Sequence, residues 1–296
     1  MPTYRVFGLT LESQIAIPAL AAGDGPADAT VTHAPAPPGV VHGDWENVLR
    51  EDRSFDIQLD GIRYLVSGGD RIEISSPVDI DPGLVTGWLT GLVLGTLLVQ
   101  RGRLALHANA VVLPSGDGLA AFVGPSGAGK STLAAMLDRR GHDMFCDDLL
   151  SIDPTGTVPM VDRGVPRVKL WRETLDHLAV DPGGLDPVVA RADKFQMPLG
   201  VAANAPTRLP LARIYLLDQT EGEARIDRLR GAEAGALVVD NAYRWVAAKM
   251  WHGGEAWGFA RCLDLARHCE VYRFARPFDF ARADSALDLL EAHLRT

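Results

Sequence analysis

The chain has 296 residues, 47% of them apolar and 23% charged, a globular composition long enough for one large domain or two smaller ones without disulfide staples. This composition excludes a disordered chain, a collagen-like repeat and a coiled-coil rod. The net charge of −9, from 29 Lys and Arg against 38 Asp and Glu, excludes the basic surface that a duplex-DNA binder needs, although a local site can still hold a nucleotide. The three cysteines, Cys146, Cys262 and Cys269, are too few and too unevenly spaced for a disulfide framework or a zinc site, so a reducing cytoplasm is expected.

The opening stretch, MPTYRVFGLTLESQ, lacks a basic segment followed by an apolar one, so no signal peptide is expected. Residues 4–10, rich in Tyr, Val, Phe and Leu, read as a strand. A Pro/Ala/Gly-rich stretch over 18–38 follows, with one short strand-like piece at 30–33. Phe55, Ile57 and Leu59 then alternate with polar residues, Asp60-Gly61 supplies a tight turn, and Ile62, Tyr64 and Val66 continue the alternation. Gly68-Gly69-Asp70 turns again before Ile72 and Ile74, which completes a three-strand antiparallel meander. Residues 1–81 are thus expected to form a β-rich N-terminal domain, a platform or recognition surface without a catalytic cluster.

Residues 82–100 carry no charge, and Gly83, Gly87, Gly91 and Gly95 recur at every fourth position. The run nears transmembrane length. Three threonines, a terminal glutamine and its single occurrence favour a buried helix whose glycine ridge lies close against a sheet, with no membrane partner. Beyond it the pattern alternates: strands at 104–113 and 119–123, a helix at 130–140 closed by Gly141, a strand at 144–146, and a hairpin of 149–152 with 159–161. Strands at 212–217 and 224–229, helices near 231–250 and 255–268, a strand at 271–274 and a helix at 284–294 complete the chain. Residues 82–296 therefore read as an α/β domain on a mixed sheet.

Gly124-Pro125-Ser126-Gly127-Ala128-Gly129-Lys130-Ser131, with Thr132 next, fits the phosphate-binding pattern G-x-x-x-x-G-K-[S/T] between an apolar strand and a helix. Backbone N–H groups must converge on phosphate oxygens, which demands small side chains and a permissive backbone; the three glycines, Ala128 and Ser126 supply both. The helix that begins at Lys130 aims its positive end at the same place. Lys130 is a mobile cation for the terminal phosphates and Ser131 a hydroxyl ligand for Mg²⁺, so ATP and Mg²⁺ are the expected cofactors. The pattern specifies phosphate binding and leaves the reaction open.

Asp147-Asp148 ends the next strand, where one carboxylate can reach a metal and the other an attacking nucleophile; an acidic turn would place the same pair there. His107, within Leu106-His107-Ala108, fits a satisfied core histidine as well as an active-site one. Arg167, Lys169 and Lys194 are candidate cations for a transferred phosphoryl group or an acidic peptide end, Arg167 first because its guanidinium fork matches such groups; each also fits a solvated surface charge.

Three segments carry a family resemblance: LHANAVVL from Leu106, AFVGPSGAGKSTLAAML from Ala121 and RRGHDMFCDDLLSID from Arg139. Over about 104–153, and more loosely over 165–171 and 194–199, the chain resembles the catalytic core of the HPr kinase/phosphorylase family. The resemblance implies a P-loop kinase core shared with phosphoenolpyruvate carboxykinase. It also implies transfer of a phosphoryl group to a serine in a small protein. By position, Asp147 resembles the general base, Asp148 its acidic partner near Mg²⁺, and His107 the active-site histidine. The family's second signature, an E-I-R-G-type run, is replaced by Gly164-Val165-Pro166-Arg167-Val168-Lys169, which has no glutamate and argues against the pyrophosphate-yielding reverse reaction. The opening Tyr4-Arg5-Val6-Phe7-Gly8-Leu9-Thr10 resembles HPr-kinase-like proteins of peptide-modifying gene clusters, among them lasso-peptide tailoring kinases. The expectation is an ATP- and Mg²⁺-dependent serine kinase acting on a peptide or small protein, such as a lasso-peptide precursor. A metabolic HPr serine kinase/phosphorylase and a regulatory P-loop ATPase stay open as alternatives, and a homo-oligomer is compatible with the sequence.

Overall fold

The computed structural model describes residues 1–37, 42–43, 45–188, 191–200, 205–242 and 255–296. Its first sheet grows outward from the meander. Phe55–Leu59, Ile62–Ser67 and Arg71–Ser76 pair antiparallel, and Asp60 and Gly61 take φ of 48° and 76° in the tight turn. Trp45–Leu49 extends one edge, while Ala29–Pro35 runs parallel to Arg71–Ser76 on the other side. The opening segment is a hairpin of Thr3–Val6 with Leu9–Ser13 rather than one strand, because Phe7 and Gly8 both adopt positive φ (52° and 74°) and reverse the chain. Ala21–Ala22 completes eight strands.

The helix Pro82–Gln100 covers this sheet. The Asp81 side chain accepts from the Gly83 N–H at 2.6 Å, and Pro82 sits in the first turn, so the start is capped and pre-set for helix. Val85, Leu89, Val93, Leu94, Leu97 and Leu98 share one core with Ile57, Tyr64 and Ile72. The Tyr64 hydroxyl donates to the Val85 carbonyl at 2.9 Å. The glycine ridge, expected against the sheet, is only partly packed: Gly95 is buried, but Gly87 and Gly91 have open space where a Cβ would stand. Branched side chains take the sheet because each buries more apolar area, worth about 25 cal/mol per Å². A π-turn at Leu89–Val93 interrupts the helix. By length and composition this helix could cross a membrane; here its Leu and Val residues are core. The boundary expected between residues 81 and 82 thus runs between two elements that pack together.

The second sheet is mixed. Its order is Met144–Cys146, Ala108–Val112, Leu119–Val123, Arg208–Gln219, Met160–Asp162, Leu150–Asp153, Leu104–Leu106, with Glu270–Arg276 also on Arg208–Gln219 and Arg225–Leu229 beyond it. Leu119–Val123 and Glu270–Arg276 both run parallel to Arg208–Gln219, so their carboxyl ends share one edge. The strand expected over 104–113 is two strands with different partners, broken at His107, whose N–H donates to the Asn241 carbonyl at 3.1 Å. A third sheet, Arg167–Trp171, Arg191–Pro198 and Asp186–Val188, was not legible in the hydrophobic pattern because its strands are short and carry charge. Of the helix expected near 231–250, Gly231–Asp240 is formed and residues 243–250 lie outside the described residues. The fold is mixed α/β, as the alternation of strands and helices implies.

Candidate active site

Leu119–Val123, wholly buried, delivers the chain into the glycine loop, and the helix Lys130–Arg139 carries it away. Gly127 and Gly129 take φ of 85° and 79°, a region that favours glycine. At Gly129 a Cβ would also stand 2.6 Å from Nη2 of Arg276. The Lys130 ammonium folds back on its own loop, donating to the Gly124 carbonyl at 2.7 Å and the Pro125 carbonyl at 3.1 Å. Burial lowers the Lys130 pKa, against the opposing pull of Asp148 and Asp147.

A cavity of about 770 Å³ opens at this loop, within the range of small-molecule sites. Ser126, Gly127, Gly129, Lys130, Ser131 and Thr132 line it. His107, Asp148, Lys169 and Lys194 line the same cavity. The structure thus brings together residues spread over positions 107–194, from the breaks, loop and helix that join strands of the second sheet and from the short third sheet.

The two adjacent carboxylates are placed unequally. Asp148, with φ of 65°, turns to the cavity wall, where Oδ2 accepts from Lys169 Nζ at 3.2 Å. Burial alone would raise its pKa, but Lys169 and His107 hold it below the ordinary carboxylate value. Asp147 is buried and does not line the cavity. Its Oδ1 accepts from Asn109 Nδ2 at 2.7 Å, and its Oδ2 only a long bond of 3.3 Å from the Lys169 N–H. Burial, and then the like charge of Asp148, push the Asp147 pKa up to about 8. His107 Nδ1 lies 2.9 Å from the Asp148 carbonyl oxygen. A carbonyl can only accept, so Nδ1 carries the proton in the neutral ring and Nε2 is the basic nitrogen. Burial and Lys130 lower the His107 pKa, against the opposing pull of Asp148.

Of the expected substrate cations, Lys169 and Lys194 reach the cavity and Arg167 does not. The Arg167 guanidinium donates instead to the Thr90 hydroxyl in the π-turn of the long helix. A buried guanidinium needs both a hydrogen-bond acceptor and nearby anions, and Asp148 and Asp147 supply the field. Gly124 and Ala128 likewise lie behind the cavity wall, with the Gly124 carbonyl spent on Lys130.

Sequence reasoning missed several residues. Asn109 holds Asp147, and its own Oδ1 is buried without a hydrogen-bond partner among the described residues. Its place two positions after His107 was the available signal. Arg276, Phe278 and Phe280 follow the last strand and line the cavity, and nothing in their spacing tied them to the loop 150 residues earlier. Gly83 and Gly87 line it too, which gives the open glycine face of the long helix a place in the site.

No family model matches the chain, and no curated protein does. Among solved structures the chain is similar to the HPr(Ser) kinase/phosphatase from Coxiella burnetii, with 13% identity and a TM-score of 0.32 over 64% of this chain and 88% of that one. A likeness this remote leaves the roles of the side chains to the geometry of the site.

Proposed function

We propose that the protein is an ATP-dependent kinase that transfers the terminal phosphoryl group to a serine hydroxyl of a peptide or small protein, with a lasso-peptide precursor as the narrower candidate acceptor. One observation carries this reading: a single cavity borders both the glycine loop with Lys130 and Ser131 and the side chains of Asp148, His107, Lys169 and Lys194. A phosphate seat alone would serve any nucleotide binder. A phosphate seat beside a carboxylate pair of unequal acidity serves transfer to a hydroxyl.

The loop N–H groups and Lys130 would hold the triphosphate, Lys130 leaving the carbonyls of Gly124 and Pro125 to do so. Ser131 and Asp148 both border the cavity and are hard oxygen donors suited to Mg²⁺. Among the described residues no group of three or more His, Cys, Asp or Glu could hold a metal alone, so the ion would rely on nucleotide oxygens as well. When bound, Mg²⁺ neutralises charge on the phosphates. Asp147 stands behind the cavity wall in this structure, so it would take the hydroxyl proton through Oδ2, the oxygen held only by the long bond from Lys169, once its side chain turns to the cavity. Its raised pKa matches a base working near neutrality better than an ordinary carboxylate. Lys169 and Lys194 would steady the phosphoryl group in flight. The segment 164–169 adds cations and no carboxylate, which fits a forward kinase rather than a phosphorylase. Three free, buried thiols fit a reducing cytoplasm.

The reading is tested by intact-mass analysis of serine-bearing peptides after incubation with the full chain, ATP and Mg²⁺. One added phosphoryl group on serine is expected. Phosphate released to water with every peptide unlabelled would favour the regulatory ATPase instead.

A further inference from the structure

The cavity extends past the phosphate loop to an aromatic end that the proposed chemistry leaves unused. Glu270–Arg276 runs parallel in the same sheet as the strand that feeds the loop, so its carboxyl end arrives beside Gly129. There Arg276 Nη2 donates to the Ala128 carbonyl at 3.0 Å and the Gly129 carbonyl at 3.4 Å. These bonds tie the strand end to the phosphate loop. Two residues on, the Phe278 ring approaches to 3.3 Å from where a Gly129 Cβ would stand. Phe278 lines the cavity yet is 60% exposed. The Arg276 guanidinium lies over the ring at 6.0 Å from its centroid, and most of the ring surface is still open beside the phosphate seat. Phe280, in contrast, is stacked on His177 with ring centroids 4.1 Å apart.

Resting on the kinase reading above, we infer that this end of the cavity holds the nucleoside of the triphosphate, with the base stacked on Phe278. Two of the polar side chains beside it are already engaged. The Thr132 hydroxyl is paired with that of Thr174 at 3.1 Å, and Asp279 Oδ1 accepts from the Ala281 N–H at 2.9 Å. Stacking tolerates any base because every base has a π-face, so the site binds adenine and guanine nucleotides with comparable affinity.

Calorimetry with ATP, GTP and inorganic tripolyphosphate on the full chain, wild type and Phe278→Ala, separates the base end from the phosphate seat. The ring is largely exposed, so the variant keeps the core intact. The Kd of ATP and of GTP should each rise roughly tenfold in Phe278→Ala, the scale of losing one base–aromatic stack, with tripolyphosphate unchanged. Phe278→Trp should restore both nucleotides. Unchanged ATP and GTP affinity in Phe278→Ala, while tripolyphosphate still binds, would overturn the base site and leave the kinase reading standing. A wild-type protein that binds neither tripolyphosphate nor ATP would overturn both.

Discussion

Asp56 in the first sheet and Asp147 beside the second are both buried aspartates, and the fold treats them in opposite ways. Asp56 accepts from Arg63 at 2.8 and 3.0 Å and from Arg50 as well. Burial pushes its pKa up, but the two guanidinium groups hold it below the ordinary value. Asp147 has one short bond, from the neutral Asn109 amide, and a like charge next to it. The first sheet offsets its buried charge with two arginines, whereas the second leaves one with its pKa raised. A carboxylate satisfied by arginines fits a structural part; one raised by burial and a like charge next to the cavity wall fits the base proposed above.

The largest expected effect that sharpens this contrast is at Asp147. Asp147→Asn keeps the size and removes the proton acceptor, so transfer to serine should fall by roughly 10²–10⁴-fold, the scale of lost general-base catalysis. ATP·Mg²⁺ affinity, followed by calorimetry, should change little. Lys130→Ala comes next: turnover should drop about 10²–10³-fold, comparable to losing one preorganised charge-stabilising donor, and nucleotide affinity should weaken with it. Equal ATP affinity in Lys130→Ala and wild type would break the phosphate-seat assignment.

Smaller effects appear in stability. The Asp147 pKa is raised, so the folded state holds a proton that the unfolded chain releases near the ordinary pKa of about 3.9. Stability therefore declines as pH rises from there to about 8, where the buried charge finally forms. Asp147→Asn removes that cost, so its melting temperature should exceed that of wild type in alkaline buffer and match it in acid. The same substitution that stops transfer should stabilise the protein. Asp56→Ala should do the reverse: about 1–3 kcal/mol of stability lost, the scale of charge-assisted hydrogen bonds, with turnover per folded molecule unchanged. Thermal melts alongside initial rates would show both, and loss of turnover in folded Asp56→Ala would erase the contrast between the sheets.

Much of this arrangement was legible in the sequence where one local pattern governs. The glycine loop, its strand and its helix follow from residues 119–139 alone, and the meander follows from alternation at 55–74. Contacts across the chain were not legible. Nothing local places Arg276 on the carbonyls of Ala128 and Gly129, or Arg167 on Thr90. The glycine ridge misled because its period of four marks a face of small residues without saying what faces it; leucines and valines took the sheet, while Gly83 and Gly87 face the cavity and Gly95 is buried. The pair Asp147-Asp148 was visible as a motif, but which member meets the cavity depends on the positive φ of Asp148.

The central claim is that Asp147 receives the proton of the acceptor hydroxyl, and the pH dependence of transfer tests it most directly. Rates for wild type, Asp147→Asn and Asp148→Asn are compared across neutral and alkaline pH at saturating ATP and Mg²⁺. The wild-type rate should rise with pH as the buried carboxyl loses its proton above the ordinary carboxylate range. The rise should vanish in Asp147→Asn. In Asp148→Asn it should move to lower pH, because the like charge that raises Asp147 is gone, and more Mg²⁺ should be needed. A near-wild-type rate with the same alkaline rise in Asp147→Asn would contradict the account and move the proton to Asp148 or His107.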